Sequence, residues 1–299
     1  TPRPARIIIG YPAGGTADLM ARQLAEKLRG SYAPSTIVDN RVGALQAIPI
    51  QSLLSSEPDG STLYFAPYSI VTLYPHAYRK LPYDPLTDLV PVSVVTSFEF
   101  ALAVAPNTPA KSVNEFIAWA KANPANANYG SLGLGTAFHF VGFMLSQAAG
   151  VTLTHVPYKG AAPVTQALLG GQIPSMIGPL GDLLPHHATG RARVLATSGP
   201  QRSVHTPDVP TFEEAGYRGL IAQERFGVFV RRGTPAPAVE AASKAIVAAL
   251  QPADIRAAIQ KLGYNEPRGS TPQEFEAMIK ADYGRWQQVV KASGFTPDD

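Results

Sequence analysis

Residues 11–18, YPAGGTAD, directly follow the apolar run Ile7–Ile9 near the start of the chain. An apolar run, a glycine turn and helix-forming residues in this order predict a strand, a tight turn and a helix start. Glycine lets a ligand approach the main chain, and a helix N-terminus presents unpaired N–H groups with a partial positive charge. We therefore expect residues 11–18 to form an anion-binding loop.

Residues 129–136, YGSLGLGT, repeat this pattern far downstream and open the apolar helical stretch Ala137–Ala149. One glycine turn between a strand and a helix is an ordinary structural feature of α/β proteins. Two such loops in one chain favour two lobes, each of which offers a helix start to the same small anionic ligand.

The composition limits the classes of protein to consider. The chain has 299 residues, of which 45% are hydrophobic and 16% charged, so a substantial core is available. A formal net charge of +3 without a Lys/Arg run among aromatics argues against a nucleic-acid surface. The absence of cysteine excludes disulfides, thiolate zinc sites and a cysteine nucleophile. No apolar run approaches the roughly 18 residues of a membrane span, and residues 4–7 open directly into the first strand, so we expect a processed mature chain.

Strand-like and helix-like runs alternate, which predicts an α/β fold. Val92–Val95 and Phe100–Ala105 are predicted as two separate strands. Pro75–Pro91 is rich in Pro, Tyr and Asp and is predicted as a surface excursion.

Two strands, Phe100–Ala105 and Phe226–Val230, are the candidates for crossing between lobes. If the chain leaves the first lobe on one and returns on the other, lobe one comprises residues 1–101 and 226–299, and lobe two residues 102–225. Two crossing strands of this kind make a hinge.

Nine short segments in a fixed order carry a resemblance to a known family. They are YPAGGTADLMAR (11–22), DNRVGA (39–44), PDGSTL (58–63), LPYDPLTDLVPVSVV (81–95), YGSLGLGTAFH (129–139), HVPYKG (155–160), LGGQ (169–172), PDVPTFEEAG (207–216) and GTP (233–235). Through them the chain resembles the Bug-type periplasmic solute-binding proteins of tripartite tricarboxylate transporters.

The resemblance implies a type II, Venus-flytrap fold of two α/β lobes with two hinge strands. It also implies closure on a small carboxylate, which is a dicarboxylate, an amino acid or an aromatic acid, and delivery of that ligand to a membrane permease. We expect a periplasmic monomer without enzymatic activity, cofactor, metal or nucleic-acid partner. A ligand-sensing adaptor for a signalling partner is the alternative function.

This sequence departs from the family pattern at several positions near the expected cleft. Val42 replaces the usual Pro, and residues 43–46, GALQ, replace a Gly-Ala-Gly-Gly turn. Pro49 stands where a glycine is usual, Arg225 where the family tends to have Trp, and residues 230–232, VRR, where it has Ala-Pro-Ala.

In lobe one, the candidate ligand-binding residues are Gly14, Gly15, Thr16 and Asp18. The N–H groups of Gly15 and Thr16, together with the Thr16 hydroxyl, suit a carboxylate oxygen. Thr16 is alternatively a helix N-cap, and Asp18 is alternatively a favourable charge in the first helical turn.

In lobe two, the resemblance implies ligand contacts from Ser131, Gly133, Gly135, Thr136 and Ala137. His139 lies just inside the helix start. Its imidazole is expected to orient the loop by a hydrogen bond, to contact the ligand or to pack only.

Tyr11, Tyr68 and Tyr158 are candidate wall residues, since aromatic side chains suit an organic acid, although plain core packing is the alternative. Asp182 is either an acidic group for an amine-bearing ligand or a turn residue. Arg225 either binds a second carboxylate bidentately or faces solvent or pairs with an acid.

Enzyme signatures are weak in this sequence. Residues 130–133, GSLG, lack the G-x-S-x-G spacing of a nucleophile elbow, and neither glycine loop continues as a dinucleotide or P-loop fingerprint. A hydrolase that uses Ser131 and His139 is the enzymatic alternative.

Overall fold

The computed structural model describes residues 1–296, whose contacts divide the chain into two compact units. The first unit comprises Thr1–Ser97 and Arg225–Gln288, and the second comprises Phe98–Glu224 and Val289–Thr296. The chain passes between them within two strands, Leu89–Val104 and Gln223–Arg231, and near the end of the last helix.

In the first unit, three parallel strands are followed by helices, and the chain later returns to add strands and three more helices. The elements are β1 (Ala5–Ile9), α1 (Thr16–Leu28), β2 (Thr36–Asn40), α2 (Ala47–Leu54), β3 (Thr62–Pro67), α3 (Ser69–Thr72), α4 (Tyr74–Ala77), β4 (Leu89–Val104), β9 (Gln223–Arg231), α9 (Ala236–Ala249), α10 (Ala253–Lys261) and α11 (Pro272–Ser293). The strand order is β2-β1-β3-β9-β4, with β1 parallel to β2 and β3, and β9 antiparallel to β3.

The second unit has the same layered α/β organisation. Its elements are the end of β4, α5 (Val113–Ala122), β5 (Asn128–Ser131), α6 (Ala137–Ala149), β6 (Thr154–Pro157), α7 (Ala161–Leu169), β7 (Ser175–Pro179), α8 (Leu180–Ala188), β8 (Arg193–Thr197) and the start of β9. Strands lie in the order β4-β7-β5-β6, and β8 pairs with β4. β5 is parallel to β6 and β7, whereas β4 is antiparallel to β7.

The periodicity of each sequence segment explains these elements. Ile7–Ile9 in β1 are fully buried, as expected of a parallel strand covered on both faces. In α1, Met20, Leu24 and Leu28 are fully buried at helical spacing, while the opposite face is exposed. Ser112 caps α5, because its Oγ accepts a hydrogen bond from Glu115 N at 3.1 Å.

The predicted α/β organisation is confirmed, but two local predictions are wrong. β4 is one strand of 16 residues rather than two, because the polar residues around Ser97 continue the extended pattern. The region 75–91 is not simply a surface excursion: Ala77 and Tyr83 are buried, and a short helix and the start of β4 fall within it.

The lobe boundaries stay a prediction, and the contact-based units differ from them in detail. Residues 98–101 belong to the second unit, Arg225 to the first, and Val289–Thr296 to the second. Residues 297–299 of predicted lobe one lie outside the described residues. None of the helices described combines the length and the apolar character that spanning a membrane requires.

Within residues 1–296, Leu45 and Gln46 are the non-glycine residues with positive φ, at 50° and 59°. They lie between β2 and α2, and Gln46 occupies the N-cap position of α2. A side chain with a Cβ pays a steric cost of about 1–2 kcal/mol in the left-handed region. The turn before α2 is therefore strained at two consecutive residues.

Replacing Leu45 with glycine tests this strain. We expect Leu45→Gly to be about 1 kcal/mol more stable than Leu45→Ala, because both remove the side chain and only glycine relieves the positive φ. Free energies of unfolding from urea titrations provide the comparison. The order of stability would be reversed if the backbone at Leu45 were unstrained, since glycine then costs more than alanine.

Candidate functional site

The first glycine loop leads into α1 with Gly15 as the N-cap, in an extended conformation. Gly14 has φ of 85°, a value that requires glycine. The N–H groups of Gly15, Thr16 and Ala17 make no hydrogen bond to any residue in the described part of the chain. The N-cap is thus Gly15 and not Thr16, whose hydroxyl instead lies 3.0 Å from Tyr264 Oη.

Asp18 fastens this loop from inside the helix. It is 2% exposed and accepts hydrogen bonds from Gly14 N, Arg22 Nε and Asn40 Nδ2, each at 2.9 Å. Burial alone would raise the pKa of Asp18, but the hydrogen bonds from Arg22, Gly14 and Asn40 lower that pKa to about 2. The carboxylate is ionised and fully engaged, which favours the structural role over ligand contact.

An Asp18→Asn substitution tests this fastening. We expect the free energy of unfolding at neutral pH to fall by about 1–3 kcal/mol, because the amide loses the charge-assisted bonds. Because the pKa of Asp18 is lower in the folded state than in the unfolded chain, the ionised carboxylate stabilises the folded protein at pH values above about 4. This contribution to the free energy of unfolding is lost as the pH falls toward about 2.

Urea titrations at several pH values measure the effect. Asp254→Asn, which removes an exposed carboxylate paired with Lys27, is the matched control and should change stability less. Equal losses of stability from the two substitutions would show that Asp18 stabilises the folded protein no more than an exposed carboxylate does.

The second glycine loop leads into α6 with Thr136 as the N-cap. Thr136 Oγ1 accepts from His139 N at 3.4 Å and donates to Gly133 O at 2.8 Å. Gly135 has φ of 70°. The N–H groups of Thr136 and Ala137 make no hydrogen bond to other residues between 1 and 296. This helix start therefore also presents free donors.

Two histidines, His139 and His155, make contacts that hold the second loop in place. Gly135 N donates to His139 Nδ1 at 3.4 Å, which is the loop-orienting contact considered for His139. The His139 ring stacks on His155 with centroids 4.0 Å apart, and Phe295 packs edge-on against it at 5.4 Å. His155 Nε2 lies 2.6 Å from Ser131 Oγ.

His155 was missed by sequence reasoning, although it lies in β6, the strand that pairs in parallel with β5. Ser131 is fully buried and its hydroxyl is paired with His155 rather than with His139. The arrangement therefore gives no support to a Ser131–His139 nucleophile pair. Ligand contact by Ser131 or His139 stays a prediction.

Burial keeps both imidazoles neutral near pH 7. It lowers the pKa of His139 to about 4, and burial with the nearby His139 lowers the pKa of His155 to about 3. A folded-state pKa below the unfolded value means that the unfolded chain takes up protons first as the pH falls. The neutral pair therefore makes its full contribution to the stability of the folded protein above pH about 6.5, and this contribution decreases as the pH falls toward about 4.

A pH series of urea titrations tests the buried pair. We expect the unmodified protein to lose stability between about pH 7 and 4.5, and His155→Gln to lose less over the same interval. His205→Gln removes a histidine elsewhere in the second unit and serves as control. Parallel pH profiles for the unmodified protein and His155→Gln would contradict the assignment.

Arg225 lies in a charged cluster of the first unit. Its Nη1 donates to Tyr68 Oη at 2.8 Å and to Asp282 Oδ2 at 3.0 Å, and the guanidinium lies over the Tyr68 ring at 5.3 Å. Arg285 Nη2 contacts Asp282 Oδ1 at 2.9 Å, and the Tyr68 hydroxyl donates to Asp282. Arg225 thus pairs with an acid, as one of the sequence alternatives stated.

Asp282 was not singled out from the sequence, since it lies 57 residues from Arg225 on α11. Tyr68 is 1% exposed and packs in the first unit's core. Both observations favour a structural role for the cluster. A second carboxylate site at Arg225 stays a prediction.

Tyr11 and Tyr158 adjoin the two loops through their main chains: Asn40 Nδ2 donates to Tyr11 O at 3.0 Å, and Tyr158 N donates to Ser131 O at 3.0 Å. Tyr11 packs edge-on against Phe226 at 6.0 Å, and Tyr158 is half-buried against the second unit's core. Asp182 lies in the first turn of α8, and burial raises the pKa of its carboxyl. No group of three or more His, Cys, Asp or Glu within residues 1–296 is placed to hold a metal ion.

Comparison with known proteins gives consistent results over the whole chain. A family model described as "Tripartite tricarboxylate transporter family receptor" matches residues 20–295. The protein BugT of Bordetella pertussis is 33% identical over 297 residues, covering 98% of this chain and 90% of BugT.

Solved structures agree with this result. The structure of the periplasmic binding protein BugD has a TM-score of 0.84 at 27% identity, and the structure of an R. palustris protein with adipate has 0.88 at 30% identity. Each alignment covers 99% of both chains. The predicted fold, that of two-lobed periplasmic binding proteins, is confirmed.

Proposed function

The chain belongs to the tripartite tricarboxylate transporter family of receptors, and we propose that it is a periplasmic receptor for a small carboxylate. The observation that carries this proposal is the pair of helix starts at Gly15–Ala17 and Thr136–Ala137, whose N–H groups have no acceptor among the residues described. Such groups bind carboxylates, because the donors and the helix dipole both favour negative charge.

Each unit contributes one helix start, so a ligand with two acidic groups supplies one carboxylate for each helix start. The structure of the R. palustris relative with adipate supports a dicarboxylate as the class to test first. β4 and β9 pass from one unit to the other and are the segments about which hinge closure would occur. Delivery of the ligand, by the receptor as a monomer, to the membrane permease of the transporter completes the proposal.

A thermal-shift panel tests the ligand class. The acids are acetate, benzoate, glutamate, malate, adipate and citrate, each over a concentration series. A ligand that binds only the folded state stabilises it by about 2.7 kcal/mol at 100 times its Kd. We expect concentration-dependent increases in Tm for malate or adipate and smaller ones for acetate.

Mass spectrometry of the denatured protein accompanies the panel, because an acid retained from expression would mask a shift. No shift with any of these acids, together with no retained acid, would contradict the carboxylate-receptor proposal.

A substitution at Thr16 tests the helix-start donors directly. Proline suits the first helical position, and the preceding Gly15 already has extended ψ of 167°, so Thr16→Pro removes one N–H with little strain. Thr16→Val is the matched control, since it loses the hydroxyl and keeps the N–H. We expect Thr16→Pro to bind the best acid of the panel about tenfold more weakly than Thr16→Val does.

Isothermal titration calorimetry gives both affinities. Similar affinities for Thr16→Pro and Thr16→Val would show that the α1 helix start does not hold the ligand.

A further inference from the structure

Gln46 occupies an unusual position beside the first glycine loop. It follows β2 and forms the N-cap of α2, with φ of 59°. The residue is only 9% exposed, which is low for a polar side chain in a connecting turn. In α/β sheets, ligands bind outside the carboxyl ends of the strands, and Gln46 lies at this edge of the first unit.

The Gln46 carboxamide lies directly on Gly10, the residue between β1 and Tyr11. A Cβ built on Gly10 would lie 1.6 Å from Gln46 Oε1 and 2.9 Å from Gln46 Nε2. Gly10 therefore admits the amide only because it has no side chain. The contact places the Gln46 amide against the main chain that leads into the anion loop.

A hydrogen bond fixes which way the amide faces. Tyr64 Oη donates to Gln46 Oε1 at 2.9 Å. Tyr64 is fully buried, and burial raises the pKa of its hydroxyl well above the ordinary value, so the hydroxyl keeps the proton that it donates to Gln46 Oε1. With Oε1 held by Tyr64, Gln46 Nε2 makes no hydrogen bond to another residue of the described chain.

We propose that Gln46 Nε2 donates a hydrogen bond to the bound acid and is a specificity-determining residue of the first unit. This inference rests on the proposed function. It is supported by the buried amide with an unused NH2 group and by its place against Gly10. The positive φ values at Leu45 and Gln46 are consistent with it, because strained backbone is found preferentially at binding sites.

The experiment compares Gln46→Glu and Gln46→Met with the unmodified protein, by calorimetry with malate and with adipate. Glutamate keeps the shape and replaces the donor by a negative charge, whereas methionine keeps the length and removes the donor. We expect Gln46→Glu to bind roughly ten- to hundredfold more weakly and Gln46→Met about tenfold more weakly.

Gln51→Glu is the matched control for added charge. Gln51 lies on the same helix, is exposed and donates to Pro82 O at 2.8 Å, so its replacement should leave both affinities within about twofold. If Gln46→Met fails to fold, Gln46→Gly takes its place, since glycine suits the positive φ and also lacks the donor.

The outcomes separate this inference from the proposed function. Unchanged affinities in Gln46→Glu and Gln46→Gly, with an unmodified protein that binds malate or adipate, overturn the inference and leave the receptor proposal standing. An unmodified protein that binds no acid of the thermal-shift panel overturns both. Weaker binding by the Gln46 variants, while Gln51→Glu binds like the unmodified protein, supports the Gln46 assignment.

Discussion

A helix start can hold an anion only if its N–H groups stay unpaired and the loop before it stays in place. Both loops of this protein meet that constraint in the same way. Gly14 N donates to the Asp18 carboxylate, and Gly135 N donates to the His139 imidazole, so each loop is fastened by a side chain four residues ahead. Each fastened glycine has positive φ. The N–H groups of Gly15–Ala17 and Thr136–Ala137 then make no hydrogen bond to other residues between 1 and 296.

The two fastenings differ in charge, and this shapes the surroundings of each loop. Asp18 is ionised, so it needs the cation of Arg22 and the amide of Asn40 to offset its burial. His139 is neutral and needs no counter-ion; stacking on His155 and packing by Phe295 hold it instead. The first loop thus depends on an ion pair, and the second on aromatic packing.

Local sequence pattern was sufficient for much of the fold and for the position of both loops. An apolar run followed by a glycine turn predicted β1, and the helix-forming residues after each glycine loop predicted α1 and α6, because these features depend on neighbouring residues. The family resemblance added the two-lobed architecture. Local pattern was misleading at β4, where polar residues within an extended strand resemble a break.

The contacts that could not be predicted are those between residues distant in sequence. Asp282 meets Arg225 across 57 residues, and His155 meets Ser131 across 24. Gln46 contacts Gly10 only because α2 begins in a left-handed turn, and no residue pattern in the sequence predicts that turn. Such pairs follow from tertiary packing, and a single sequence contains no signal that joins their two members.

The packing of Phe295 has a practical consequence for anyone who labels this protein. Its ring contacts His139 and also Phe140, at 5.5 Å, so the last described residues of the chain support the imidazole that holds the second loop. A fluorophore or affinity tag placed directly after Thr296 would be attached one residue from that ring. Attachment on an exposed side chain of the first unit, such as Lys280 on α11, leaves the contacts of Phe295 unaltered.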